Sequence, residues 1–404
     1  MKILLLTNKV PYPLRDGGTI ATHNLVKGFA ELNHNVTLLS LNTNKHYIHP
    51  ELVVAALKNI ADIHMVSINT DLNAYLALKN LLFSKLPYNA ERFISNDFDQ
   101  YLIELLKKTK FDVVQLEGLY MTPYIPTIRM YSSALISLRA HNIEHEIWER
   151  TAANHKNSLS KIYLKHLSGR IKQMKLTYLN KYDVLVPITT RDAEVYNKLG
   201  NDKPTLISPA GIFMPNLPEK KEIVFPSIFH IGALDWLPNQ EGILWFLNFV
   251  WGSIKKIYPE LKFYIAGRNA SADFVKKLNT YDIIYCGEVE NAHSFMMDKA
   301  IMIVPLLSGS GMRVKVIEGM ALGKTIISTT IGAEGIDVTD KENIFIANTP
   351  EEFVSVIDFL IKNRPLFEQT GINAQNLIRN KYDNTILSKQ LSDFYIKNLS
   401  LIKS

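Results

Sequence analysis

The feature that most constrains this chain is an alternation. Lys2 to Thr7 is a continuous apolar run of strand length, and a loop with Pro11, Pro13, Gly17 and Gly18 follows. Ala21, Leu25, Phe29 and Leu32 then recur at helical spacing before a second apolar run, Val36 to Leu41. Unbroken apolar runs mark strands buried on both faces, and strand–helix–strand units of this kind require a parallel sheet with right-handed crossovers. The pattern repeats through strand candidates at Ile63 to Ile68, Asp112 to Leu116, Ala134 to Leu138 and Asp183 to Ile188. It breaks near Leu206 to Ile212. There Ser208-Pro209-Ala210-Gly211, then Pro215, Pro218 and Glu219-Lys220-Lys221-Glu222, read as a linker. From Ser227 a second series runs through Ile228 to Ala233, Leu261 to Ala266, Ile283 to Val289, Ile301 to Leu306, Thr325 to Thr329 and Asn343 to Ala347. Helices are expected over Gln240 to Tyr258, Met312 to Leu322 and Asn384 to Leu399.

The expected architecture is therefore α/β, with two successive doubly wound parallel-sheet domains. A chain of 404 residues exceeds what one core usually organises, which agrees with that division. The boundaries read as 1–205, 206–380 and a terminal helix at 381–404 packing back on the first domain. Ligands of open parallel sheets bind outside the carboxyl ends of the strands. Two such domains facing each other would put the chemistry in the cleft between them.

Composition excludes several classes. A single cysteine, Cys286, rules out an internal disulfide framework and fits a reducing compartment. Within Ile283-Ile284-Tyr285-Cys286 it reads as a small buried hydrophobe, and a buried thiol is ordinarily inert. No stretch approaches the ~20 apolar residues of a membrane-spanning helix, and the apolar start stops at Thr7-Asn8-Lys9, too soon for a secretory leader. A soluble cytoplasmic protein is expected. Charge is uneven: the first 190 residues hold 22 Lys and Arg against 15 Asp and Glu. The excess gathers in Lys156, Lys161, Lys165, Arg170, Lys172, Lys175 and Lys181, interleaved with apolar residues. Such a helix either packs its apolar stripe on its own domain or lies on anionic lipid, which would make the protein peripheral at the inner membrane face. Nucleic acid is not an expected partner.

The segment richest in chemistry is Ser308-Gly309-Ser310-Gly311-Met312-Arg313-Val314-Lys315-Val316-Ile317-Glu318-Gly319-Met320-Ala321-Leu322-Gly323, directly after a strand. A small-residue loop feeding a helix offers free N–H groups and the positive end of the helix dipole to phosphates. Arg313 and Lys315 add charge suited to a diphosphate. Gly311, Lys315 and Glu318 share one helical face, and Val314, Ile317 and Ala321 another. Glu318, two turns in, suits the hydroxyls of a ribose. An amphipathic helix with solvated charges is the plainer reading.

This segment resembles the donor-binding segment of glycosyltransferase family 4, whose hallmark is two glutamates separated by seven residues, followed by Ala-Met-Ala-x-Gly. The match is to Glu318-Gly319-Met320-Ala321-Leu322-Gly323; the first glutamate falls on Ser310. A second departure is Gly232-Ala233-Leu234-Asp235-Trp236-Leu237-Pro238-Asn239, where the family has an arginine and a lysine-asparagine pair. This chain looks like a subgroup with Gly-x-x-Asp-Trp-x-Pro-Asn, which moves the basic work to Arg313 and Lys315. Asp235 and Asn239 are otherwise expected to cap the helix from Gln240.

The resemblance implies the GT-B architecture of two Rossmann-like domains and a retaining, metal-independent glycosyltransferase. It would move a sugar from a nucleoside-diphosphate sugar to a glycan or lipid-linked acceptor in bacterial surface polysaccharide or glycolipid synthesis, without a cofactor. It implies catalytic roles for His141, Arg313 and Lys315. Donor binding would fall to Gly17, Gly18, Gly232, Val289, Gly309, Ser310, Gly311 and Glu318. Asp16-Gly17-Gly18 would bring backbone and an open helix terminus to the donor phosphate, and Val289 would hold the base through its backbone. His141, in His141-Asn142-Ile143-Glu144-His145-Glu146, would stand beside the donor sugar, or with its neighbours cap the following helix. His141 and His145 stand at i and i+4, but the order is not His-Glu-x-x-His and no third ligand is evident, so no metal is expected. Glu117, at another strand end, could be a base or an acceptor ligand. The competing readings are a binding protein that lost turnover, a sugar-nucleotide epimerase of the same architecture, and a membrane-docking scaffold.

Overall fold

The computed structural model describes residues 1–14, 16–155, 157–215, 222–309 and 311–403. Ser310, Lys156 and the linker residues Pro218, Glu219, Lys220 and Lys221 lie outside the described residues. The chain forms two compact units, Met1–Gly211 with Asn384–Ser404, and Ile212–Asp383.

The first unit is a six-stranded sheet: β1 (Lys2–Thr7), β2 (Asn35–Thr43), β3 (Asp62–Ile68), β4 (Val113–Glu117), β5 (Leu135–Ala140) and β6 (Val184–Pro187). The order is β3-β2-β1-β4-β5-β6, with every pairing parallel. Consecutive side chains of β1 enter opposite cores. Leu4 and Leu6 join the cluster holding Phe98, Leu102 and Ile128, while Ile3 and Leu5 join that of Leu25, Phe29 and Tyr395. A strand with two buried faces cannot alternate polar and apolar residues, which is why it reads as an unbroken run. The C-terminal helix Asn384–Lys403 covers the second of these faces with Leu391 and Tyr395.

The second unit holds β7 (Val224–Ile231), β8 (Lys262–Ala266), β9 (Ile284–Gly287), β10 (Lys299–Val304), β11 (Thr325–Ser328) and β12 (Phe345–Ile346). Their order is β12-β11-β10-β7-β8-β9, again all parallel. Each sheet thus starts in its middle and winds outward in both directions. That leaves a topological switch point between β1 and β4 in one unit and between β7 and β10 in the other. Chains diverge there, and a crevice opens at the carboxyl edge.

Two sequence expectations are corrected at this level. Cys286 is exposed, on β9 at the edge of its sheet. The helix expected from Gln240 begins at Leu237, capped at Trp236, with Pro238 in its first turn. Asn239 therefore lies inside the helix and does not cap it.

Candidate active site

Both switch points carry the chain's chemistry. In the second unit, β7 ends into Gly232 and β10 into the loop 305–313, which leads to the helix Val314–Ala321. Gly309 and Gly311 have φ of 114° and 82°, a conformation that glycine adopts without strain, so the loop's turns require them. Arg313 is the N-cap residue. It is buried, with its guanidinium 5.3 Å from the centre of the Trp236 ring, and burial lowers its pKa although Glu334 works the other way. Lys315, the second residue of the helix, is held by two neutral acceptors: Nζ donates to Asn239 Oδ1 at 2.8 Å and lies 3.3 Å from His230 Nε2. His230 is fully buried and its Nδ1 lies 2.9 Å from the Ile303 carbonyl. A carbonyl only accepts, so Nδ1 carries the proton and Nε2 turns its lone pair to Lys315. Desolvation, then the charge of Lys315, holds His230 well below the ordinary histidine value. Desolvation, reinforced by Arg313, brings Lys315 down to about 7.

Gly232 is explained by this arrangement. A Cβ there would lie 2.9 Å from Asn239 Nδ2 and 3.1 Å from Lys315 Nζ. The Gly-x-x-Asp-Trp-x-Pro-Asn segment therefore supplies space for Lys315, an aromatic plate for Arg313 and an acceptor for Lys315. Asn239 spends its other end on the Ala233 carbonyl at 2.8 Å. Glu318 lies one turn beyond Lys315 on the same half-exposed face, while Val314, Ile317 and Ala321 are buried against the sheet. No described residue donates to its carboxylate, and desolvation pushes it up to about 7. Val289 follows β9, two strands from β7 in the sheet.

In the first unit the switch point holds a cavity of about 210 Å³ whose lining includes Gly18, Thr22, Glu117, Tyr120, His141 and Glu144. Glu117 ends β4, and His141 follows β5. His141 does not cap the next helix; its Nε2 lies 2.7 Å from Glu117 Oε2. The same oxygen accepts from Thr22 Oγ1 at 3.2 Å and from Arg139, 2% exposed, at 3.3 Å. Burial alone would raise the Glu117 pKa. The charges of Arg139 and His141, with hydrogen bonds from His141 and Gln115, reverse that and bring it down to about 2. Gln115 Nε2 donates to Glu117 Oε1, while its Oε1 accepts from Tyr395 of the C-terminal helix at 2.6 Å. Ser137 Oγ lies 2.8 Å from that hydroxyl. A buried chain therefore runs Tyr395–Gln115–Glu117–His141. Sequence reading left Glu117 undecided and missed Arg139, Gln115, Tyr395 and His230 entirely. For Gln115, Arg139 and His230 the available signal was a polar or charged residue inside an apolar strand; Tyr395, on the C-terminal helix, carried none.

Gly17 and Gly18 open the helix Gly17–Glu31. Asp16 caps it, accepting from Thr19 N at 2.9 Å while paired with Lys9. Burial would raise Asp16; the Lys9 and Thr19 bonds outweigh it and lower its pKa. A carboxylate thus already occupies the positive end of the dipole. The basic helix, Ser158–Tyr178, turns part of its charge inward. Lys175 is buried against Glu144 at 3.1 Å and 4.4 Å from the Tyr196 ring. Arg170 binds Asn80 Oδ1 at 2.8 Å and the carbonyls of Ser84 and Leu86. Two of its cations are therefore internal struts. Among the described residues, no group of three His, Cys, Asp or Glu side chains could hold a metal ion, and no helix is long and apolar enough to cross a membrane.

Residues 225–363 match the family described as glycosyl transferases group 1. An uncharacterised 44.6 kDa protein in the cps region of Klebsiella pneumoniae is 24% identical over 399 residues, covering 95% of this chain and 97% of its own. Among solved structures, Anabaena Alr3699/HepE in complex with UDP superposes with a TM-score of 0.67 at 11% identity, over 98% of this chain and all of that one. TarM gives 0.69 at 12%, over 98% and 99%, and the pneumococcal O-GlcNAc transferase GtfA with UDP and GlcNAc gives 0.67 at 10%, over the same shares. The fold is GT-B, and the class of protein that fold and family match define is the glycosyltransferase.

Proposed function

We propose that this chain is a retaining, metal-independent glycosyltransferase of family 4 character. It would take a sugar from a nucleoside-diphosphate donor and pass it to a hydroxyl of a glycan or lipid-linked acceptor. The observation that carries the donor site is Lys315, an ammonium at the switch point held, among the described residues, by Asn239 and the lone pair of His230. Neither partner offsets its charge, so the site favours an anion. Arg313, over the Trp236 ring, stands two residues away. Together they suit a diphosphate, and in transfer they would neutralise the charge that gathers on it as the bond to the sugar breaks. Glu318, one turn further and unpartnered, suits the paired hydroxyls of a ribose. In the first unit, His141 would hold a hydroxyl of the transferred sugar, with Glu117 fixing the ring. HepE and GtfA were solved with UDP, and the Klebsiella relative belongs to a cps region, which favours a uridine donor and surface polysaccharide as the product.

The test is calorimetric titration with UDP, GDP and other nucleoside diphosphates, repeated on Lys315→Ala and Glu318→Ala. Micromolar binding of one nucleotide, weakened at least tenfold by each substitution, is the expected result. Binding of no nucleotide, or binding indifferent to both substitutions, would overturn the assignment. With the donor named, retention is checked by the anomeric configuration of the product, and metal independence by activity in the presence of a chelator.

A further inference from the structure

His230 is out of character for its strand. Ile228, Phe229 and Ile231 around it are buried apolar residues, and His230 itself is 0% exposed. A ring with two polar nitrogens is costly in such a position unless each nitrogen has a partner. The sheet uses Nδ1. The ladder between β7 and β10 pairs Met302 with Phe229, its last pair toward the carboxyl edge. Ile303 and His230 come next on the two strands, and there the Nδ1–H reaches the Ile303 carbonyl at 2.9 Å. Nε2 has no such structural task. Its lone pair lies 3.3 Å from Lys315 Nζ.

An ammonium carries three protons. Asn239 Oδ1 takes one at 2.8 Å, and His230 Nε2 faces a second. Two directions fixed at a tetrahedral nitrogen fix the third. Lys315 is partly exposed, so the third N–H is the one that a ligand at the switch point can meet. The kind of acceptor matters. A carboxylate in the place of the ring would hold Lys315 as firmly but cancel its charge, and an anion would gain little from the pair. An imidazole kept neutral by burial beside an ammonium orients Lys315 and leaves its charge intact.

We infer that His230 is a positioning residue of the donor site, aiming the Lys315 ammonium through its Nε2 lone pair, an assignment that rests on Lys315 being a diphosphate ligand. The two ring nitrogens then have separate work: Nδ1 joins the strands, and Nε2 serves the ligand. Two substitutions separate them. His230→Asn keeps an amide N–H where Nδ1 stands but is too short to reach Lys315. His230→Gln places an amide oxygen where Nε2 stands and gives up the bond to Ile303.

The experiment is calorimetric titration of the full chain with UDP and GDP. It is repeated on both variants, on Lys315→Ala and on His230→Asn/Lys315→Ala, with thermal melting confirming that each protein folds. His230→Asn should bind the nucleotide about tenfold more weakly, since a hydrogen bond to a charged group is worth about that much. His230→Gln should bind close to wild type. On the Lys315→Ala background His230→Asn should cause no further loss, because a residue that acts only through Lys315 has nothing left to act on. Wild-type affinity in His230→Asn would overturn the inference and leave the donor site standing. So would weaker binding by His230→Gln than by His230→Asn, or a loss that persists undiminished without Lys315. Nucleotide binding indifferent to Lys315→Ala, or absent from wild type, would remove the donor site itself and this role with it.

Discussion

Replacing Glu117 by Gln removes one charge and almost no volume, and the structure fixes what should follow. Arg139 is 2% exposed and its guanidinium is 3.3 Å from the Glu117 carboxylate, with the His141 ring 2.7 Å from the same oxygen. The amide would leave Arg139 a buried cation without its counter-charge, a loss that typically costs about 3–5 kcal/mol. A second route agrees. Glu117 falls from an ordinary 4.5 to about 2 in the folded state, which corresponds to roughly 3 kcal/mol of stability at neutral pH. A depressed carboxylate contributes its full stabilisation above the unfolded value and loses it as pH falls through the folded one. The difference between wild type and Glu117→Gln should therefore be constant from pH 7 to about 5 and shrink from there toward pH 2. Urea unfolding followed by circular dichroism, at steps between pH 7 and 3.5, measures it. A difference below about 1 kcal/mol at pH 7, or one that does not narrow in acid, would refute the claim that this carboxylate is the counter-charge of a buried network.

Tyr395→Phe deletes the hydroxyl that orients Gln115, so stability should drop by about 1 kcal/mol while turnover falls at least tenfold with little change in donor affinity; a strictly structural role would leave turnover intact. Gly232→Ala pushes a methyl into the space of Lys315 and Asn239, and titration should show nucleotide binding at least tenfold weaker with the melting temperature nearly unchanged. The donor site should also respond to pH in two opposed ways. Lys315, brought to about 7, is cationic below that point, and Glu318, raised to about 7, is anionic above it. Affinity for a nucleoside diphosphate should peak near neutrality, with Lys315→Met losing the decline toward pH 9 and Glu318→Gln losing the rise from pH 5. Taking each variant as a ratio to wild type cancels the nucleotide's own titration, and parallel profiles for all three proteins would dismiss the idea.

The alternation of apolar runs made the twelve strands of the described residues readable, from Lys2–Thr7 to the short β12, because strands buried between two layers read as largely continuous apolar runs. The glycines at 309 and 311 and the charges at 313, 315 and 318 were legible for a related reason: a loop that turns at a strand end and feeds a helix is a local device, written in consecutive residues. What tertiary structure decided is which distant residues meet. His230 sits inside a strand and Asn239 inside a helix, yet they converge on Lys315 because β7 and β10 are neighbours through a crossover. Glu117, Arg139 and His141 are neighbours only because β4 and β5 pair in register, and Tyr395 reaches them from the far end of the chain. The exposure of Cys286 followed from β9 being last in its sheet, and the burial of Lys175 from a partner, Glu144, on another helix. Periodicity records which way a side chain faces along its own element. Only the packing of elements against each other says whether that face meets water, a hydrophobic core or an opposite charge.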